Sequence, residues 1–429
     1  MSGRASPLTG GHTRLPTKAT YRIRRNAYHS STDAPAGASV EASAPTPPTG
    51  EDLPMSRECP PALRLIAWQQ RLGPLLRPCG RVYSLAMAVR RALFRSGVRA
   101  TYRPPCPSIS VGNIAWGGSG KTPLVSWLLR WAREKHLHTV VLTRGYGARP
   151  PHLPYVVGPE SPWREAGDEP LLLARAAPEA RVLVDAQRCR AAAWAAARQT
   201  PDLFVLDDGM QHLAAGRDMD LVLLRPDDLT SQWGRVIPAG SWREGPGALS
   251  AASAFLLKAD AAELDGLDAA VRARLATFGR PVFGFTLSVV GLRPTRSGGG
   301  VEGAPASEME SRLRGGRPYV LVSGVASPGQ VERGAADFFG QRPAAHLAYP
   351  DHHAYTDTDW RDIETVCRDN DDAAILCTAK DAVKLEAFAG RQRYYLETAV
   401  RFGRFWFTSA PFPLWWEQAW AELMPRHGQ

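Results

Sequence analysis

Residues 110–125 read "SVGNIAWGGSGKTPLV", and this stretch decides the fold of the core of the chain. An apolar strand-like segment leads into three glycines within four positions, and Lys121 and Thr122 follow at the start of a helical pattern. Small residues between a buried strand and a helix allow backbone N–H groups to turn toward phosphate oxygens, while the lysine reaches the β- and γ-phosphates. The stretch therefore predicts a phosphate-binding loop (P-loop) whose nucleotide contacts are Gly117, Gly118, Ser119, Gly120, Lys121, Thr122 and Pro123.

Three residues depart from the commonest form of such a loop. Pro123 is tolerated because the N–H groups in the first turn of a helix have no intrahelical partner. Ala115 replaces the first glycine of GxxxxGK[ST], which is needed only where the chain takes a positive φ. Trp116 stands where partitioning and septum-site ATPases carry a lysine, and we find no NKxD-type motif of the GTPases after a strand. A membrane-associated P-loop switch ATPase that binds a partner protein is thereby disfavoured, but it stays the alternative to an enzyme.

The composition describes a globular chain with an excess of arginine. The chain has 429 residues, of which 44% are hydrophobic and 22% charged, so it can bury a large core in two domains. The formal net charge is +10, and only six of the 52 basic residues are lysine. Such an excess suits anionic partners, although a GC-rich genome also produces it. Because the arginines are dispersed and we see no helix-turn-helix or RNP-type signature, we expect no nucleic-acid partner.

Residues 1–61 are rich in Pro, Ala, Ser, Thr and Gly and show no helical or strand period, which predicts a disordered tail. The tail carries arginine and no acidic residue until Asp33, as an organellar transit peptide does, but a bacterial protein that starts at Met55 is the favoured alternative.

The scattered cysteines, without a CxxC pair, predict a reducing compartment rather than disulfides or a zinc site.

The pattern from residue 107 onward predicts an α/β fold with a P-loop NTPase-type parallel sheet. Short β-branched apolar runs alternate with helical stretches, as buried parallel strands do. We predict a P-loop core over residues 62–288, a glycine-rich linker over residues 289–317 and a smaller α/β domain over residues 318–429. In the last helix of that domain, Trp416, Trp420 and Leu423 share one face, which favours core packing over contact with acyl chains.

An amphipathic helix precedes the P-loop at residues 81–95. Its apolar stripe comprises Val82, Leu85, Ala86, Val89 and Leu93, with Arg91 and Arg95 on the opposite side. Such a helix can lie in a membrane interface with its arginines on lipid phosphates, or it can pack against its own domain. The uncharged run is too short to span a bilayer.

A pair of carboxylates follows a second apolar strand. The sequence "LFVLDDGMQH" places Asp207 and Asp208 at the strand end, where a P-loop enzyme holds the aspartate that organises Mg²⁺. Because adjacent strand residues face opposite sides, the two aspartates are expected to differ in role. Thr122 supplies a further oxygen for the metal.

Seven motifs occur in order along the chain: "SVGNIAWGGSGKTPLV", "TRGYG", "GDEPLLLA", "LDDGMQH", "PAGSWREG", "YPDHHAYT" and "TAKDAVKL". Over about residues 63–410 the chain thereby resembles the tetraacyldisaccharide 4′-kinases of Gram-negative bacteria. The resemblance implies a kinase that uses ATP and Mg²⁺ to phosphorylate the 4′-hydroxyl of a tetraacyldisaccharide 1-phosphate, forming lipid IVA in lipid A biosynthesis. It also implies two α/β domains joined by a β-ribbon-like linker, with the active site between them. We expect a monomer, peripheral on the cytoplasmic face of the inner membrane, where the helix at 81–95 docks.

The resemblance also implies roles for individual residues. Asp168 and His352 match the positions of the general base, with a helix N-cap as the alternative for Asp168. Lys121 and Asp208 complete the catalytic set, and Arg243 is a nucleotide contact. Predicted metal ligands are Thr122, Asp207 and Glu244, and predicted substrate contacts are Tyr146, Arg188 and His212. Surface ion pairing is the alternative for Tyr146, Arg188, Arg243 and Glu244, and helix-start or surface charges are predicted at Lys380, Asp381 and Lys384.

Overall fold

A computed structural model describes residues 61–296 and 304–426, so the predicted tail lies almost wholly outside the described residues. The helices are α1 (Pro61–Arg95), α2 (Lys121–Glu134), α3 (Trp163–Ala166), α4 (Asp168–Ala176), α5 (Arg188–Ala196), α6 (Pro226–Leu229), α7 (Ala261–Gly266), α8 (Asp268–Leu275), α9 (Ala306–Arg314), α10 (Pro328–Phe339), α11 (Asp357–Arg368), α12 (Ala379–Leu385) and α13 (Phe412–Leu423). The strands are β1 (Ser108–Asn113), β2 (Thr139–Thr143), β3 (Tyr155–Val157), β4 (Arg181–Val184), β5 (Leu203–Asp207), β6 (Met219–Leu224), β7 (Ala254–Lys258), β8 (Val282–Pro294), β9 (Tyr319–Ser323), β10 (Ala345–Ala348), β11 (Ala374–Thr378) and β12 (Arg393–Trp406).

The described strands form one sheet in the order β10-β9-β11-β12-β8-β7-β6-β1-β5-β2-β4-β3. Every neighbouring pair from β8 to β4 is parallel, as is every pair from β10 to β12. Helices cover both faces of such strands, which explains why β1, β5 and β6 are buried along their whole length. The predicted α/β fold with a parallel P-loop core is confirmed.

A long antiparallel ribbon joins the two parallel blocks. It pairs β8 with β12 from Tyr394 opposite Pro294 to Trp406 opposite Val282, with two irregularities in register. We call the part from β3 to β8 the P-loop block and the part from β12 to β10 the C-terminal block. The predicted linker range, 289–317, contains the end of β8 and all of α9. The exact division into domains stays a prediction.

The aromatic face of α13 is buried, as predicted, and the core that it joins is that of the P-loop block. Trp416 is fully buried, and its ring centroid lies 5.2 Å from that of Trp131 on α2. Trp420 contacts the same ring edge-on at 5.0 Å. The last helix of the chain thereby closes the apolar face of the helix that follows the P-loop.

Helix α1 has an inward face and an outward face of opposite character. Its outward face exposes Leu75, Val82, Leu85 and Val89 by 51–76%. Its inward face lies so close to the core that a Cβ on Gly80 would meet the carbonyl oxygen of Val236 at 2.9 Å. The apolar stripe is therefore not the surface with which the helix packs against its own protein. No helix among the described residues is long and apolar enough to cross a membrane.

We expect Trp416→Ala to lower the free energy of unfolding by about 3–5 kcal/mol, because it removes a buried ring that its neighbours cannot replace. Chemical denaturation with tryptophan-independent detection, by far-UV circular dichroism, measures this change. Leu414→Ala on the same helix is the control, since Leu414 is 59% exposed and its truncation should change stability by less than about 0.5 kcal/mol. Equal losses for the two variants would contradict the assignment of α13 to the core.

Candidate active site

A large cleft opens along the carboxyl ends of the strands between the two blocks. Its walls include the P-loop, the end of β5 and the start of α4 on one side. The turn after β10 and the start of α12 form the other side. In open parallel sheets, ligands bind outside the carboxyl ends of the strands, so this cleft is the candidate active site.

The P-loop has the backbone that its glycines predict. Gly117 and Gly120 take positive φ values of 104° and 84°, which side-chain-bearing residues rarely adopt. Ala115 is not among the positive-φ residues of the described chain; it is buried and bridges to Trp242. Helix α2 begins at Lys121, so the N-terminal end of its dipole points at the loop. The missing first glycine therefore leaves the phosphate cradle intact.

Asp207, the last residue of β5, and Asp208, the first residue of the turn after it, occupy different environments, so the expected difference stands although its cause is the turn and not strand alternation. Asp207 is buried and accepts a hydrogen bond from Thr143 Oγ1 at 3.0 Å, while its Oδ1 has no partner among the described residues. Burial, and then the charge of Glu169, raise the pKa of Asp207 to about 7. Asp208 takes a positive φ of 52° and turns away from its neighbour.

Asp208 is held by two cations. Lys121 Nζ lies 3.5 Å from its Oδ1, and Arg243 Nη1 donates to its Oδ2 at 2.9 Å. Although burial acts to raise the pKa of Asp208, the charges of these two cations outweigh it and lower that pKa. Arg243 also donates to Asn113 Oδ1 at 2.8 Å. The same oxygen accepts a hydrogen bond from Lys121 Nζ at 3.4 Å. Arg243 is thus joined to the P-loop lysine through shared partners rather than exposed as a surface charge.

Glu244 points away from this cluster toward α1. Both of its oxygens accept hydrogen bonds from Arg91, at 2.9 and 3.0 Å, and both residues are buried. Glu244 is not among the residues that line the cleft, whereas Arg243 is. The predicted metal ligand therefore forms a buried ion pair with the helix whose outer face is apolar.

Asp168 and His352 meet across the cleft, although 184 positions separate them in the chain. His352 Nδ1 lies 2.8 Å from Asp168 Oδ2, and because an ionised carboxylate only accepts, the imidazole N–H donates. Burial acts to raise the pKa of Asp168, but the hydrogen bond and charge of His352, with Lys380 and Lys384, lower it to about 2. The hydrogen bond that His352 donates to Asp168 raises the pKa of His352 in turn. The Asp168 side chain also accepts from the N–H of Glu169 at the start of α4.

Lys380 and Asp381 lie in the first turn of α12, as predicted for helix-start charges, but the prediction of surface charges is contradicted. Lys384 is 2% exposed and Asp381 is fully buried, where it accepts from the Gly324 N–H, Tyr355 Oη and Thr378 Oγ1. Lys380 pairs with Glu169 of α4. The prediction of surface charges was wrong because α12 packs against α4, which turns these side chains inward.

The three predicted substrate contacts lie in two places. Tyr146 is 73% exposed at the cleft, with its ring 5.2 Å from that of His352. Arg188 is buried and donates to the carbonyl oxygen of Asp208 at 3.3 Å, while its Nε has no partner among the described atoms. Burial, and then the charges of Arg188 and three further arginines, lower the pKa of His212 to about 4. Arg188 and His212 therefore lie in a basic cluster behind the aspartate pair rather than on the cleft wall.

The donor set suits Mg²⁺ better than a metal with an all-protein cage. No group of three or more His, Cys, Asp or Glu residues that could hold a metal occurs in the described part of the chain. Mg²⁺ is commonly bound by one or two carboxylates together with phosphate oxygens and water. The unpartnered Oδ1 of Asp207, buried beside the P-loop and close enough to Glu169 to feel its charge, is the kind of atom that such a cation would satisfy.

Comparisons with known proteins agree with this geometry. Residues 72–408 match the family model described as "Tetraacyldisaccharide-1-P 4'-kinase". The chain belongs to this family. It is 50% identical over 361 residues to the tetraacyldisaccharide 4'-kinase of Nitratidesulfovibrio vulgaris, covering 84% of this chain and 98% of the relative. The corresponding enzyme of Oleidesulfovibrio alaskensis is 48% identical over 362 residues, covering 83% and 97%.

A crystal structure of another member of the tetraacyldisaccharide-1-P 4'-kinase family has the same fold. It is LpxK from Aquifex aeolicus in complex with ATP, with a TM-score of 0.63 and 26% sequence identity. The match covers 83% of this chain and all of that chain.

Three further residues lie at this kinase site although the sequence motifs did not predict a role for them there. Asn113 ends β1 and contacts both Lys121 and Arg243, and Lys384 lies beside Asp168. Lys258 ends β7, with its Cδ 3.2 Å from where a Cβ on Gly120 would stand. The strand ends at Asn113 and Lys258 were readable from the sequence, since polar residues that close buried strands meet at the same edge of the sheet.

We expect Asp168→Asn to lower the pKa of His352 by about one pH unit or more, because the hydrogen bond and charge that raise it are weakened. Titration of ¹³Cε1-labelled histidine by NMR measures this pKa directly. His353 is an internal control, since its own partner, Asp359 at 3.1 Å, is unchanged. A His352 midpoint that stays in place or rises would mean that the 2.8 Å contact is not formed in solution.

Proposed function

We propose that this chain is an ATP-dependent kinase that transfers the γ-phosphate to the 4′-hydroxyl of a tetraacyldisaccharide 1-phosphate, forming lipid IVA in lipid A biosynthesis. Membership of the kinase family and the match to the ATP complex support the reaction. The observation that carries its mechanism is the Asp168–His352 pair at 2.8 Å, which lines the same cleft as the P-loop. A base and a phosphate cradle that share one cleft are what transfer to an alcohol requires.

In this mechanism His352 accepts the proton of the sugar hydroxyl. Its Nδ1 is occupied by Asp168, so Nε2 is the atom left to accept, and the imidazole is more exposed than the carboxylate, 28% against 6%. The hydroxyl oxygen bonds to the γ-phosphorus as the bond from that phosphorus to the β–γ bridging oxygen breaks. ADP leaves, and the proton stays on Nε2. Asp168 orients the ring and stabilises the resulting imidazolium.

The phosphate charges are neutralised from the other side of the cleft. Lys121 and the N–H groups of the P-loop face the β- and γ-phosphates. In our proposal Arg243 contacts the nucleotide, because it donates to Asp208 and Asn113, the two residues that also lie beside the Lys121 ammonium. Asp208 positions both cations, and this is its catalytic role in our proposal.

We propose Mg²⁺ as the metal, held by Thr122 and Asp207. When bound, it would supply charge neutralisation to the phosphate oxygens. Glu244 stays a predicted member of the metal shell, although Arg91 engages both of its oxygens.

The glycolipid contacts in our proposal are Tyr146, Arg188 and His212. Tyr146 stands over His352 at the cleft mouth, where its ring can pack on a sugar face. Arg188 and the neutral His212 each have one buried nitrogen without a partner among the described residues. Neither residue lines the cleft wall, so in our proposal a phosphate group of the substrate reaches Arg188 behind the aspartate pair, since guanidinium pairs well with phosphate oxygens.

We further propose that the protein acts as a monomer, peripheral on the cytoplasmic face of the bacterial inner membrane, with α1 as its docking element. The outward stripe of α1, with Val82 70% and Leu85 66% exposed, can enter the headgroup region while the exposed Arg95 contacts lipid phosphates. Arg91 does not take the lipid contact expected of it, because it is buried against Glu244. This arrangement brings the cleft to a substrate whose acyl chains stay in the bilayer.

A purified-protein assay with radiolabelled ATP and the tetraacyldisaccharide 1-phosphate tests the reaction. The label should appear on the lipid at the 4′ position, and Lys121→Ala should reduce the rate by on the order of 100-fold or more, because it removes charge from the phosphate site. Lys135→Ala is the matched control, because Lys135 is an exposed lysine at the C-terminal end of α2, the helix that begins at Lys121. Hydrolysis of ATP without labelled lipid would instead favour the switch ATPase.

Vesicle flotation tests the docking surface. Val82→Glu combined with Leu85→Glu should move most of the protein from anionic phospholipid vesicles to the soluble fraction, because charged side chains resist burial among acyl chains. Turnover of detergent-solubilised glycolipid should be retained. Leu414→Glu, at an exposed apolar residue of α13, controls for the added charge, and equal flotation of the double variant and this control would rule out α1.

A further inference from the structure

Lys384 carries a buried ammonium group to which the sequence motifs assign no catalytic role. Its side chain is 1% exposed, and its Nζ makes no hydrogen bond within the described part of the chain. Two carboxylates flank it: Asp381 Oδ1 lies at 3.5 Å and Asp168 Oδ2 at 3.7 Å. The ring of Tyr355 lies 5.7 Å away on a further side. An ammonium is retained in such a place only when nearby negative charge offsets the cost of its burial.

The two carboxylates differ in how much they depend on Lys384. Asp381 accepts hydrogen bonds from the Gly324 N–H at 2.9 Å, Tyr355 Oη at 2.9 Å and Thr378 Oγ1 at 2.6 Å, so three donors stabilise its charge. Asp168 has the His352 imidazole and the N–H at the start of α4. The same oxygen of Asp168, Oδ2, faces both His352 Nδ1 and Lys384 Nζ. A cation at this oxygen acts on the catalytic hydrogen bond itself.

We infer that Lys384 is a positioning residue for phosphoryl transfer: its buried charge, added to those of His352 and Lys380, stabilises the ionised Asp168 and keeps it directed at His352, so that His352 Nε2 is free to accept the substrate proton. This inference rests on the proposed function for the identity of the base. Lys384 comes from the C-terminal block and Asp168 from the P-loop block, so the pair forms only when α12 is packed against α4. The base is therefore assembled by the contact between the blocks.

The sign of the electrostatic effect follows from the charges around the pair. The charged and titratable groups that face it are Asp168 and Glu169 from α4, Lys380, Asp381 and Lys384 from α12, Asp351, His352 and Tyr355 from the turn after β10, and Tyr146 from the loop after β2. Removing the positive charge of Lys384 makes protonation of the Asp168–His352 pair easier. The acidic limb of the pH–rate profile, which reports the unprotonated base, therefore moves to higher pH.

Lys384→Met tests the inference, since methionine keeps much of the shape and removes the charge. We expect turnover at neutral pH to fall by on the order of 10-fold and the acidic limb of kcat/KM to rise by about one pH unit. Asp168→Asn moves the His352 midpoint in the opposite direction, so the two effects cannot be confused. Lys135→Met is the matched control, because Lys135 pairs with Glu417 on the exposed end of α2.

A readout that needs no turnover separates this inference from the proposed function. The ¹³Cε1 resonance of His352 should titrate at higher pH in Lys384→Met than in the unsubstituted protein, whether or not the glycolipid is the substrate. If the His352 resonance shifts but the protein labels no lipid, the result supports the effect of Lys384 on the Asp168–His352 pair and contradicts the proposed kinase activity. Normal turnover with an unshifted limb and resonance would overturn the role of Lys384.

Lys384→Arg decides the matter if the methionine variant does not stay folded at the assay temperature. Arginine keeps the positive charge, so the acidic limb and the His352 midpoint should stay near those of the unsubstituted protein even where packing lowers the unfolding temperature. A limb that rises in Lys384→Arg by about one pH unit, the rise expected for loss of the charge, would show that charge is not what Lys384 contributes.

Discussion

The hydrogen bond between Asp168 and His352 is the contact on which the site depends. It joins the first residue of α4 to the turn after β10, and so it exists only when the two blocks of the sheet stand at one fixed distance. Taking a carboxylate out of water costs several kcal/mol unless partners compensate it. Asp168 is compensated by the imidazole, by Lys384 and by the charge of Lys380. The packing of α12 on α4 and the long ribbon of β8 and β12 can both be understood as the framework that keeps these charges together.

Local features of the chain were predictable from the sequence, because the physical causes are local. The P-loop follows from glycines between a strand and a helix, and the structure places positive φ at Gly117 and Gly120. The sequence also predicted different environments for Asp207 and Asp208, although the cause is that the strand ends at Asp207 and Asp208 begins a turn with positive φ. The burial of Trp416 follows from the shared face of three apolar residues on one helix.

Contacts between distant segments were predictable only through the family resemblance, or not at all. No spacing rule connects Asp168 with His352, and the seven ordered motifs alone suggested the pair. Lys384 shows the limit most plainly. Its spacing from Lys380 places both on one helix face, but whether that face meets water or another helix depends on α4, about two hundred positions earlier in the chain. The sequence of α1 likewise left two orientations open, and the structure shows the apolar stripe turned outward.

The ion pair between Arg91 and Glu244 has a consequence for how the molecule can sit on a surface. A rotation of α1 about its own axis would withdraw the guanidinium and leave a buried carboxylate beside Arg243 without its counter-charge, which is strongly unfavourable. The rotation of α1 about its own axis is therefore fixed relative to the part of the cleft that contains Arg243. The direction in which the exposed stripe of Val82 and Leu85 faces is thereby fixed relative to the P-loop block.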